Sequence, residues 1–196
     1  MALSKIDVAN MLSATLPVAN GGTGLTSGTS GQFLKFTGSA TLASAADNGK
    51  ILQVESGAGI GGNTSTTNTS FVETTTVDSI TPTAASSKIL LMFSFNCGAA
   101  TNNNSVKIRY YRQVNGGGYS AIGDDAYFQG TYTNAGGQVT GHMTATYLDT
   151  PSYSLTNQID YKIYIASSAG GTVNIYNEGG NKNNLTMIEV AGWFQI

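Results

Sequence analysis

Charge is scarce in this chain of 196 residues: nine basic and eleven acidic side chains make up 10% of it, for a net charge of −2. Globular domains ordinarily carry about 25%. Without clustered Lys and Arg there is no source of counterion release, so nucleic acid is excluded as a partner. The single cysteine, Cys97, cannot form an intrachain disulfide, and with no CxxC around it reads as a buried packing thiol. The single histidine, His142, excludes paired-histidine metal motifs within one chain; it reads as a sheet or loop histidine bonded to backbone or solvent. Apolar residues are scattered, with no run of about 18 for a membrane span. The first ten residues, MALSKIDVAN, lack the apolar stretch of a secretory signal. No cofactor or metal-ligand set is readable, and no enzymatic activity is expected.

What is present is small, uncharged and polar. Gly, Thr, Ser and Asn fill 86 of the 196 positions, which argues against a coiled coil or helical bundle built of Ala, Glu, Lys, Leu and Arg. Ten Tyr, seven Phe and one Trp supply the apolar mass for one sizeable core, and all but Phe33 and Phe36 fall after position 70. The sequons at Asn63, Asn68 and Asn184 read as chance in an Asn/Thr-rich chain.

Residues 1–48 form a first zone, thin in large apolar groups. Ser4 and Asp7 ahead of Val8, Met11 and Leu12 outline a loose cap and predict a short helix over about residues 4–13. Pro17 closes it, and Asn20-Gly21-Gly22-Thr23-Gly24 marks a loop, because Asn and Gly tolerate positive φ. Beyond it the apolar knot Phe33, Leu34 and Phe36 interrupts Gly, Ser, Thr and Ala. Such a segment buries too little surface to offset its ordering entropy. It is expected to be extended, mostly irregular and dependent on a partner reached through Ile6, Val8, Met11, Leu12 and Leu16. A strand at residues 50–54 then precedes a polar tract in which Gly57, Gly59 and Gly62 satisfy GxGxxG. The dinucleotide reading of that motif needs a helix start next, and Asn63-Thr64-Ser65-Thr66-Thr67-Asn68 is a very poor helix former, so it is rejected.

From Ser70 onward the apolar period is two. Val106, Ile108 and Tyr110 alternate with Lys107, Arg109 and Tyr111; Ile159, Tyr161, Ile163 and Ile165 alternate with Asp160, Lys162 and Tyr164. These are half-buried strands. The last run, 184–194, carries Leu185, Met187, Ile188, Val190, Trp193 and Phe194, apolar on both sides, as expected of a strand held between a core and a further surface. Glycine pairs punctuate the runs as turns. The pattern predicts an all-β protein: a jelly-roll-like antiparallel β-sandwich head over residues 49–196, with 1–48 as an attachment segment.

Candidate chemistry is sparse. Asp124-Asp125 follows Gly123, but successive residues of an extended segment point to opposite sides, which spoils a carboxylate pair. Tyr119, Tyr127, Phe128, Tyr132, Tyr147 and Tyr153 fall in or beside Gly/Asn/Thr-rich connections. Rings flanked by amides and hydroxyls suit sugar recognition as well as core packing. Neighbours on a strand cannot both face one core, so the Tyr127-Phe128 pair predicts at least one exposed ring; with Tyr132 these are the candidate contacts to a host-surface glycan or protein. The apolar final strand supplies a candidate subunit interface, Met187, Ile188, Val190, Trp193 and Phe194.

Residues 16–24, LPVANGGTG, resemble the VANGGTG segment of bacteriophage tail-fibre and related virion proteins. Residues 49–54, the Thr/Ser-rich stretch with Ser70-Phe71-Val72, residues 80–90 and the closing 185–192 are similar to a module in phage proteins, especially of marine phages. The resemblance implies a non-enzymatic virion component on the particle surface. It further implies a homotrimer with a sandwich head. The contrast between a core-poor first quarter and an aromatic-rich remainder adds the expectation that residues 1–48 join it to other tail, fibre or capsid proteins while the head is offered to the host. The alternative is a capsid-decoration, head-fibre or connector protein that binds no receptor.

Overall fold

The structure, a computed structural model, describes residues 25, 28–30, 32–38, 41–45, 51–57, 62–100, 104–129, 139–176 and 183–192. Among these there are twelve strands and no helix. The helix expected over 4–13 lies outside the described residues, as do Ile6, Val8, Met11, Leu12, Leu16, Tyr132, Trp193 and Phe194. The chain divides into two compact units, 1–49 and 50–196.

In the first unit, β1 (Phe33–Gly38) and β2 (Thr41–Ala45) pair as an antiparallel hairpin, with Phe36 opposite Leu42. Within the segment expected to be extended and mostly irregular, these residues form regular strands. The Ser44 hydroxyl ties the start of the hairpin, donating to Gln32 Oε1 at 2.6 Å. A lone two-stranded hairpin is marginal in water, and Phe33, Leu34 and Phe36 all stand exposed.

The second unit is built from eight principal strands: β3 (Ile51–Ser56), β5 (Val72–Ile80), β6 (Lys88–Ala99), β7 (Ser105–Val114), β8 (Ser120–Gln129), β9 (Val139–Asp149), β10 (Ile159–Ser167) and β12 (Asn184–Val190). First pairs with last, β3 with β12; then β5 with β10, β6 with β9 and β7 with β8. This is one long hairpin wound up on itself, the jelly roll. The winding leaves sheet I in the order β3-β12-β6-β9 and sheet II in the order β5-β10-β7-β8. Two short strands, β11 (Val173–Tyr176) and β4 (Thr64–Thr66), extend sheet I. Strand β11 pairs with the last residues of β6 on the side that β12 occupies further back, while β9 runs along the whole other side.

The inward positions follow the period of two. Ile89, Leu91, Phe93, Phe95 and Cys97 of β6 face Ile159, Tyr161, Ile163 and Ile165 of β10 across the core, all fully buried. Burial of each such large side chain contributes about 1.5–3 kcal/mol. Phe93 and Phe95 stack with ring centroids 4.5 Å apart. Cys97 is wholly inside this layer, and burial pushes its thiol up to about 12, so it packs and does not react.

Candidate functional site

With the inward residues committed to the core, functional chemistry falls on the outer faces and the sheet edges, and the two outer faces differ. On sheet II rings and charges dominate the outward positions, with Thr75 and Val77 exposed on β5. Tyr111 of β7 stacks on Tyr164 of β10, centroids 3.8 Å apart. Lys162 pairs with Glu73 and lies 4.4 Å from the Tyr119 ring centroid; the Tyr164 hydroxyl donates to the other Glu73 oxygen at 3.3 Å. The hydrogen bond from Lys162 holds the Glu73 carboxyl below the usual range and raises Lys162 in return. Arg109 and Lys107 stand over the Phe71 ring, 4.7 and 5.4 Å from its centroid. Arg109 Nε also donates to Asp125 at 2.6 Å, and the Tyr127 hydroxyl reaches the same carboxylate at 3.3 Å.

Of the sequence-predicted contact residues, Tyr127 joins this outer face, 55% exposed. Phe128 does not: it opposes Val106, packs on the core, and a Cβ at Gly141 would stand 2.6 Å from its ring. Its place among surface contacts is corrected by strand parity.

The acids Asp124 and Asp125 also differ from expectation. Ile108 opposes Ala126 and Tyr110 opposes Ile122, so Arg109 alone faces the three residues Gly123, Asp124 and Asp125. The extra residues form a bulge in edge strand β8, which re-aims side chains, and Gly123 takes φ +66° there. Both residues now line one cleft at the sheet edge, with the Asp125 carboxylate held by Arg109 and Tyr127. Among the described residues there is no group of three or more His, Cys, Asp or Glu that could hold a metal ion.

On sheet I the outward positions form cross-strand rows. Val54, Ile188, Leu90 and Leu148 stand side by side on β3, β12, β6 and β9, flanked by Ile51 with Val190 and by Met92. Ile51, Val54, Met92 and Leu148 are exposed, the others half-buried. Further along, the rows turn to hydroxyls and amides, and His142 bonds Ser94 Oγ at 2.9 Å. Ile188 and Val190 therefore lie on the outer apolar face. Met187 is corrected: it points inward and is fully buried in the core.

Sequence reasoning missed two buried acids. Asp149 accepts from Arg112 Nη1 at 2.7 and 2.9 Å and from the Tyr161 hydroxyl at 2.7 Å. Glu189, inward on β12, accepts from the backbone N–H of Thr83 and Ala84, at 2.9 to 3.1 Å, and from Gln53 Nε2 at 2.9 Å. Burial raises its carboxyl, but the hydrogen bonds from Thr83, Ser87 and Ala84 outweigh it and the net shift is downward. Tyr153 completes the clamp on this loop, taking the Ser87 N–H at 2.8 Å and donating to Ala84 O at 2.6 Å. An acid at inward parity, two residues from Met187, was the available signal.

No family model and no curated protein matches the chain. Among solved structures it is similar to one described as the structure of infectious bursal disease virus Gx strain, at 12% identity and a TM-score of 0.37, covering 96% of this chain and 52% of that one. The chain thus spans about half the length of that neighbour.

Proposed function

We propose that the protein is a non-enzymatic structural component of a phage virion: a homotrimer, anchored through its N-terminal residues, that presents the sandwich for host-surface attachment. The virion setting rests on the resemblance of residues 16–24 and of the later module to phage fibre proteins. The attachment role is carried by one observation, the outer face of sheet II, where Phe71, Tyr111, Tyr127 and Tyr164 interleave with paired charges. Rings offer flat apolar surface and the ion pairs hold them in place, a combination suited to glycan or protein surfaces. The aliphatic rows of sheet I supply the face through which identical subunits meet. The exposed Phe33, Leu34 and Phe36 suit docking of the first unit on other virion proteins.

Full-length protein added to host cells ahead of the phage tests the attachment reading. Competition with adsorption is the expected result; none, even at saturating protein, overturns it. The second reading, a decoration or connector protein, draws on the same aliphatic face acting alone. It wins if particles lacking the protein lose stability while adsorption is unchanged.

A further inference from the structure

The open side of the sandwich is where β8, the edge of sheet II, comes near β9, the edge of sheet I. Between them lies a cleft of about 250 Å³. Pockets for drug-sized ligands run from about 300 to 1,000 Å³, so this one suits a single small ring. Ile108, Ala126, Ala145 and Tyr147 give it an apolar wall, and Asp124 and Asp125 border it. Tyr147 is fixed from two sides. It stacks on Tyr110 with centroids 6.3 Å apart, and a Cβ at Gly123 would stand 2.6 Å from its ring. The polar groups near the wall are mostly committed: the Tyr110 hydroxyl donates to Ala145 O at 2.8 Å, and Asp125 is held by Arg109 and Tyr127. Asp124 is the exception, exposed and with neither ion pair nor hydrogen bond among the described residues. An apolar wall, half-buried Ala126 and Tyr147 backed by the buried Ile108 and Ala145, therefore stands beside one uncommitted charged acceptor.

We propose that this cleft is a subsite for one neutral sugar ring of a host-surface glycan, a step that rests on the attachment reading. A sugar presents an apolar C–H face and a rim of hydroxyl donors. The face lies against the wall, and a hydroxyl donates to Asp124 in a charge-assisted hydrogen bond, about twice as strong as a neutral one. Arg109 neutralises Asp125, so Asp124 leaves the site negative and turns away anionic sugars.

The test uses the full chain with glucose, galactose and N-acetylglucosamine as probes and glucuronic acid as the anionic control, read by saturation-transfer NMR. Millimolar binding of at least one neutral probe is expected, with glucuronic acid weaker. Asp124→Asn should weaken that binding by about tenfold. Gly123→Ala should abolish it by driving a Cβ into the Tyr147 ring. Because that change also strains a left-handed residue, Asp124→Asn, at an exposed position that keeps its backbone, is the deciding variant. The proposal is overturned if no neutral probe binds, if glucuronic acid binds best, or if Asp124→Asn leaves binding unchanged. Adsorption competition run in parallel separates the two ideas. A chain that competes yet binds no monosaccharide keeps attachment and loses the cleft; one that binds a neutral probe yet fails to compete keeps the cleft and loses attachment.

Discussion

The two outer faces of the sandwich are made by the same rule and come out opposite. In both, alternate residues of half-buried strands point away from one shared core. On sheet II those residues are chiefly Glu73, Lys107, Arg109, Tyr111, Asp125, Tyr127, Lys162 and Tyr164, rings and charges that satisfy one another across strands. On sheet I they are Val54, Ile188, Leu90 and Leu148 in one row, with hydroxyl and amide rows beyond. A face that carries charge stays hydrated and reaches partners through a few specific contacts, whereas an aliphatic row gains by being covered. The division of labour proposed here, self-association on sheet I and attachment on sheet II, follows from that contrast.

The strongest way to break it is to put charge on the aliphatic row. The double change Leu90→Lys with Ile188→Lys should weaken subunit association by about a hundredfold or more, the scale of interface hot spots, while the thermal transition of the head survives. Light scattering over a dilution series reads this; an unchanged mass would remove sheet I from the interface.

Next comes the inward side of the same strand. The Glu189 carboxyl is held below its ordinary range in the folded protein. Its contribution is therefore fully present above the unfolded carboxyl pKa and is lost as pH falls through the lower folded value. Urea midpoints should fall as pH drops through the acid range. Glu189→Gln should cost about 1–3 kcal/mol at neutral pH, since buried donors lose a charged acceptor, and should flatten the acid dependence. Equal slopes in both proteins would show that the clamp on the loop around Thr83 does not depend on charge.

A smaller effect is expected from Tyr127→Ala on sheet II: about a fivefold loss in adsorption competition, in line with about 1 kcal/mol for one exposed ring, and no change in oligomeric mass. A change in mass instead would mean that the faces have exchanged roles. Smallest is Glu73→Gln. Glu73 is half exposed, and exposed ion pairs are worth about 0–1 kcal/mol, so the melting temperature should hardly move at either low or high salt. A large drop would show the ring-and-charge face to be part of the fold's stability.

Much of the architecture was legible because it is a matter of period. The alternation of Ile159, Tyr161, Ile163 and Ile165 with Asp160, Lys162 and Tyr164 marks both the strand and its inward side, and the same parity separates Tyr127 from Phe128. Parity failed where the backbone leaves the ladder. The bulge opposite Arg109 brings Asp124 and Asp125 to one cleft, and nothing in Gly123-Asp124-Asp125 announces how many residues will oppose that arginine. The apolar look of 184–190 was real, yet it hid Glu189 on the inward side. A buried acid is tolerable only where N–H donors wait for it, and those come from a loop more than a hundred residues earlier in the chain.

Low charge, a period of two and glycine-marked turns are local properties, and they determined by themselves that this chain makes an all-β sandwich around one core. Which outward residues become neighbours was decided only by the winding of the jelly roll. Its nested pairing sets Val54 beside Ile188, Leu90 and Leu148, and Tyr111 against Tyr164, from strands far apart in sequence. A face is a property of strand order and register, and those are settled by closing the core, not by any single strand.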